Sequence, residues 1–148
     1  MGSADGPPRR QTTGLDARRF QLMAAVLARV AGHGIGRAEL FGASSGGMRI
    51  DDPAADLAIA AALASAVTGI RTPGSSAFVG EVSLTGLVRP APGLAQRLAA
   101  AEAAGCRRVF AAPPADGHEH PLLAPVRHVA EALVWTQLDP IQSRRRAS

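Results

Sequence analysis

The sequence has no lysine, no tyrosine and a single cysteine among its 148 residues. One cysteine excludes an intramolecular disulfide and any zinc site built from several cysteines of one chain. Without lysine there is no P-loop of the Gly-x-x-x-x-Gly-Lys type, which excludes ATP hydrolysis by that route. Aromatic residues make up only 3% of the chain, too few for base stacking to dominate any binding of nucleic acid.

The sequence also has no uniformly apolar run of eighteen or more residues, and its first residues are polar and proline-rich. It therefore lacks both a membrane-spanning segment and a signal core, and we expect a cytoplasmic protein with no membrane partner. Its 47% hydrophobic content is enough for one domain with a core. We assign residues 1–14 to a flexible linker, 15–138 to the domain and 139–148 to a basic tail.

The pI of about 11.2 overstates the positive charge of the domain. All sixteen basic residues are arginine and the chain has no lysine or tyrosine, so a small excess of positive charge is enough to raise the pI this far. Between residues 15 and 138, eleven arginines face ten acidic residues, which leaves a net charge of +1. Such a domain would have to gather its arginines on one face in order to bind nucleic acid.

Apolar periodicity predicts four helices. The first follows Asp16 as N-cap, and the second begins at Asp52-Pro53, with Asp56 in its first turn. Residues 57–67 of this second helix are apolar on every side, which predicts that it is covered all round. The third runs from about 93 to 104 and the last from about 128 to 138. In the first helix the predicted inward residues are Phe20, Met23, Ala24, Leu27, Val30 and Ala31, and the solvated stripe is Arg18, Gln21, Ala25 and Arg29.

Short strands are predicted between these helices, several of them in hairpins, around residues 38–43, 48–50, 77–79, 82–84, 87–88 and 107–111. This order favours an α+β fold with mixed sheets of short strands and about four helices over a doubly wound sheet.

Two segments are similar to the proteolytic domain of Lon proteases. Residues 51–56 read Asp-Asp-Pro-Ala-Ala-Asp, where Lon has Asp-Gly-Pro-Ser-Ala-Gly with its nucleophilic serine; Ala54 takes that position here. Residues 93–98 read Gly-Leu-Ala-Gln-Arg-Leu and resemble the Lon stretch with the catalytic lysine, so Ala95 takes the place of the base. A serine hydroxyl is a poor nucleophile without such a base. The resemblance therefore implies a Lon-like fold over residues 14–138 and no catalytic residues, which makes the chain a pseudo-protease and not an enzyme.

Among Lon-like domains, the chain most resembles those of the RadA family of bacterial DNA repair proteins. The motifs that carry this resemblance lie in residues 14–19, 46–51 and 80–86. In that family a zinc motif and a RecA-like ATPase precede the domain, and the whole protein is a hexameric motor that acts on DNA in recombination. The resemblance implies a homo-oligomeric ring, the hexamer of the family, with DNA and the recombination machinery as partners. It also implies that ATP, Mg and Zn belong to upstream domains, that this chain needs no cofactor, and that it is a fragment.

Five arginines are the predicted DNA-binding residues, since each can contact phosphate. Arg19 and Arg49 are preferred because they lie within the motifs. The others are Arg18, Arg29 and Arg89. For each of them, a solvated or internally paired side chain is the alternative.

Other patterns leave further functions open. Residues 42–46 match the Gly-x-Ser-x-Gly elbow of serine hydrolases, but the helix that must follow Ser44 is missing from the sequence pattern. His118-Glu119-His120 could bind a metal, but Pro121 interrupts the strand that would align them.

Three acidic residues, Asp51, Asp52 and Asp56, could be read as an acid–base group, yet helix capping accounts for Asp52 and Asp56 more simply. The alternatives to a DNA-binding scaffold are thus a serine hydrolase and a pure protein-interaction module.

Overall fold

A computed structural model of the chain describes residues 10–13, 17–30, 40–43 and 52–137. The predictions that concern Asp16, Ser44, Arg49, Asp51 and the strand at 48–50 lie outside these residues, as does the tail from 139 onwards.

The first strands form a two-stranded parallel sheet. β1 (Arg10–Thr13) pairs with β2 (Leu40–Ala43), with Arg10 opposite Leu40. β2 confirms the strand predicted around 38–43, whereas β1 lies inside the segment assigned to a linker. A four-residue strand beside Pro7-Pro8 and Gly14 gives too little apolar alternation to be recognised. The domain boundaries at 14 and 138 stay predictions.

The first helix, α1 (Ala17–Val30), has the predicted amphipathic pattern. Phe20, Met23, Ala24 and Leu27 are buried as predicted, together with Val26. The predicted outer stripe of Arg18, Gln21, Ala25 and Arg29 is exposed. Burial of this apolar face fixes α1 against the second helix.

The second helix starts as predicted. Asp52 caps a short 3-10 helix (Pro53–Ala55), and α2 (Asp56–Thr68) follows directly. The prediction that α2 is covered all round is wrong, because Ala58, Ala62 and Ala66 are exposed along one side. Their spacing of four places them on one stripe, and a methyl side chain exposes too little apolar area to require cover.

The remaining elements are, in chain order, β3 (Ser76–Val79), β4 (Glu81–Val82), β5 (Val88–Arg89), α3 (Leu94–Ala103), β6 (Arg108–Ala111), β7 (Leu123–Pro125), α4 (Val129–Ala132) and a final 3-10 helix (Val134–Gln137). The largest sheet is parallel and has the strand order β3-β6-β7. A hairpin of the two very short antiparallel strands β4 and β5, followed by α3, connects β3 to β6. The last predicted helix is therefore divided into two short helices.

Alternate residues of the sheet face two cores. The rings of Phe78 and Phe110 stack with their centres 4.9 Å apart. Both pack against the larger core, which includes residues of α1 and α2. Val109 and Ala111 point the other way, into a smaller core with Leu94 and Leu98 of α3. These layers confirm the α+β fold. Among the described helices, none is long and apolar enough to cross a membrane.

Candidate functional site

The position of the Lon nucleophile is occupied by Ala54, which is 6% exposed at the start of the second helical segment. Its backbone N–H donates to the Asp52 carboxylate at 2.9 Å, and its carbonyl accepts the N–H of Gly80 at 2.8 Å. The Gly80 carbonyl in turn accepts the N–H of Leu57 at 3.0 Å. Position 80 has no room for a side chain, because a Cβ there would lie 2.6 Å from Val88 Cγ1. The segment is thus held firmly, but it presents only a methyl group.

The backbone donors around Ala54 are engaged as well. The Ala55 N–H donates to the Asp52 carbonyl at 3.0 Å, and the Asp56 N–H donates to the Pro53 carbonyl. With the bonds of Ala54 and Leu57, all four consecutive N–H groups from 54 to 57 have partners. Acyl transfer needs N–H groups aimed at the developing oxyanion. This stretch therefore offers neither a nucleophile nor an oxyanion hole.

The position of the Lon base, Ala95, is exposed in the first turn of α3. An ion pair joins the two motif segments, since Arg97 Nη2 lies 3.1 Å from Asp52 Oδ2. Arg97 also donates from Nε to the Pro92 carbonyl at 3.0 Å. The Ala54 N–H and then the Arg97 guanidinium lower the pKa of the Asp52 carboxyl. The structure thus confirms Asp52 as a cap and gives it a second contact, with α3.

Asp56 is the buried polar residue at the centre of this region, with 0% exposure. Its Oδ2 accepts from Arg19 Nη1 and from the Val82 N–H, each at 3.0 Å, and Arg19 Nη2 also lies 3.3 Å from Glu81 Oε1. Burial raises the pKa of Asp56, while the Val82 N–H and Arg19 oppose the rise. Its predicted role in capping is therefore wrong: the carboxylate links α1, α2 and β4.

The sequence contains one signal for this ion pair. Asp56 is in register with Ala60 and Leu63, which occupy the buried face of α2. A charged residue on a buried face needs a partner, and Arg19 lies in a motif-like segment of the preceding helix.

Of the five predicted DNA-binding arginines, the structure describes Arg18, Arg19, Arg29 and Arg89, while Arg49 lies outside the described residues. Arg19 is 22% exposed and makes two ion pairs with carboxylates. Arg18, Arg29 and Arg89 are exposed, and Arg89 lies opposite Glu81 in the β4–β5 pair. Contact of these arginines with DNA stays a prediction.

A groove of about 620 Å³ adjoins Ala95. Its walls come from the start of α3 and from the loop after β6, and they include Pro92, Leu94, Pro114, His118 and His120. Both histidines line this groove. The His118 N–H donates to Asp116 and His120 Nδ1 accepts from the Leu122 N–H. Among the described residues, no three His, Cys, Asp or Glu side chains are placed to hold a metal.

Comparison with known families agrees with these motifs. The model of the Lon protease (S16) C-terminal proteolytic domain matches residues 42–139. The chain belongs to this family.

Its relatives include curated proteins with the name DNA repair protein RadA. The protein from Brucella abortus is 42% identical over 106 residues, which are 72% of this chain and 23% of the relative. That from Mycobacterium tuberculosis (strain H37Rv) is 39% identical over 111 residues, 75% of this chain and 23% of the relative. The chain thus spans about a quarter of the length of these relatives, and its similarity to the Lon-like domain of RadA is confirmed.

Proposed function

We propose that this chain is a non-catalytic scaffold in a RadA-type DNA repair and recombination protein. In this role it forms a ring through self-association and contributes to DNA binding in the cytoplasm. The absence of a nucleophile and a base at positions 54 and 95 carries the proposal. The four paired N–H groups from 54 to 57 support it, because they leave that stretch no donor for an oxyanion.

Incubation with casein and with an activated ester tests the non-catalytic role. We expect no turnover above the rate in buffer, and no change on Ser44→Ala substitution. Turnover that Ser44→Ala abolishes would instead establish the serine-hydrolase alternative.

Contact with DNA is supported by exposed arginines, of which Arg29 and Arg89 form no salt bridge among the described residues. We expect the affinity of the chain for duplex DNA to fall with rising salt, because phosphate contacts release counterions. Arg29→Gln and Arg89→Gln should each reduce the slope of log affinity against log salt by about 0.9 if each residue contacts one phosphate. Absence of binding even at low salt would favour the protein-interaction module.

A further inference from the structure

We infer that an arginine cluster, formed by Arg71, Arg107 and Arg108, is a binding site for the phosphate backbone of DNA. It lies at the end of the parallel sheet where β3 and β6 begin, away from the sequence motifs. The inference rests on the proposed DNA contact and gives it a location.

The sheet brings these arginines to one end of the molecule. Arg108 is the first residue of β6 and is opposite Ser76, the first residue of β3. The Arg107 N–H donates to the Ser75 carbonyl at 2.7 Å, which holds the start of β6 against the loop before β3. Arg71 belongs to that loop, four residues before Ser75. Its Cα therefore lies within about 14 Å of Ser75 even if the loop is fully extended.

These arginines have charge that the described part of the protein does not neutralise. All three side chains are exposed, and none takes part in a salt bridge among the described residues. Arg19 and Arg97, by contrast, are paired with carboxylates. The acidic residue nearest in sequence is Glu102. Even when its charge is included, the three arginines leave the cluster a net charge of +2. In a domain of net charge near zero, this is a local excess that attracts polyanions.

Arg108 is held in place before any ligand binds. The Arg108 guanidinium carbon lies 5.8 Å from the centre of the Phe110 ring, and Phe110 itself stacks on Phe78. An aromatic ring attracts a guanidinium that lies over its face. The N–H groups at the edge of the guanidinium can still donate to an anion. Holding the side chain in this way reduces the entropy lost when it binds phosphate.

Salt-dependent binding of a duplex DNA to the 148-residue chain tests the site. We expect Arg71→Gln, Arg107→Gln and Arg108→Gln together to reduce the salt slope by about 2 to 3, since each lost phosphate contact removes about 0.9. Arg127→Gln is the control, because Arg127 is also exposed and outside the described salt bridges. It should leave the slope unchanged. The pair Arg71→Gln and Arg107→Gln preserves the Arg108 contact with Phe110, and should reduce the slope by about 1.8.

The outcomes distinguish a failure of this inference from a failure of the proposed DNA contact. If the chain binds no DNA, both fail. If it binds DNA and the triple variant keeps the full slope, only the cluster is overturned. Binding of a polyglutamate peptide as tight as that of DNA, lost equally in the triple variant, would assign the cluster to acidic proteins and overturn the DNA assignment.

Discussion

Asp56 is the residue on which three elements depend, since its carboxylate contacts Arg19 of α1 and the Val82 N–H of β4 from the first turn of α2. Asp56→Ala would leave the Val82 N–H without an acceptor and Arg19 without its most buried partner. We expect a loss of about 2 to 4 kcal/mol in the free energy of unfolding, measured with urea. Asp56→Asn keeps an acceptor of the same shape and should cost less. Equal losses in the two variants would show that the Val82 bond contributes little.

The raised pKa of Asp56 also predicts a pH dependence. A carboxyl whose pKa is higher in the folded state stabilises the fold below its unfolded value, 3.8, and this stabilisation is lost as the pH rises through the folded pKa. The amide introduced by Asp56→Asn does not titrate. The stability of the wild type relative to this variant should therefore be highest below pH 3.8 and lower at neutral pH. A relative stability that rises with pH would contradict the raised pKa.

At the scale of single residues, the sequence is most informative where a known motif exists. Ala54 and Ala95 are identified because flanking residues align with Lon, and Asp52 is identified as a cap from the proline that follows it. The ion pair of Asp56 with Arg19 spans 37 positions. Sequence patterns over a few residues cannot reveal a contact at this separation. The one indication of the ion pair is that Asp56 is a charged residue on the apolar face of a helix.

Among the elements, the β4–β5 hairpin is tied to α4 through Gly86. Gly86 has a φ of 92°, and a Cβ there would lie 2.6 Å from His128 Nε2. His128 caps α4, because its Nδ1 accepts the Ala130 N–H at 3.1 Å, and its Nε2 donates to the Thr85 carbonyl at 3.0 Å. A side chain on Gly86 would therefore displace the cap.

Gly105 provides a matched control for this contact. Its φ is 88°, close to that of Gly86, but a Cβ there would meet nothing within 4 Å. Gly105→Ala should cost about 1 kcal/mol from backbone strain alone. Gly86→Ala should cost a further ~1–3 kcal/mol from overpacking, as measured by thermal or urea unfolding. Equal costs would show that the hairpin yields without disturbing His128.

The Asp52–Arg97 pair joins α3 to the first motif, but it is largely exposed, with side chains 53% and 33% accessible. Exposed pairs contribute little, so Arg97→Gln should lower stability by at most about 1 kcal/mol. A larger loss in urea unfolding would mean that α3 is docked mainly through this contact.

The helices are easier to predict than the strands. α1 and α3 are both predicted from their periodicity, and the inward residues predicted for α1, among them Phe20 and Met23, are buried as expected. β7 escapes prediction because it has three residues and ends in Pro125, a residue that only an edge strand tolerates. Parallel pairing of β3 with β6 could not be read from local pattern, since their partners are about 32 positions apart.

For the whole molecule, the proposed ring predicts a definite mass in solution. Sedimentation equilibrium should give a multiple of 15.1 kDa, and a hexamer is expected from the RadA resemblance. A monomer at every concentration tested would contradict self-association of this chain, while DNA binding by the same sample would still be measurable.

The reciprocal bonds of Gly80 with Ala54 and Leu57 also bear on how the molecule opens. The amides of Gly80 and Leu57 donate across two segments 26 and 23 residues apart in sequence, and the Val82 amide donates to Asp56 nearby. These three amide protons should exchange with solvent only when α2 separates from the β4–β5 hairpin. In heavy water all three should exchange slowly and give the same free energy of opening, as one cooperative unit.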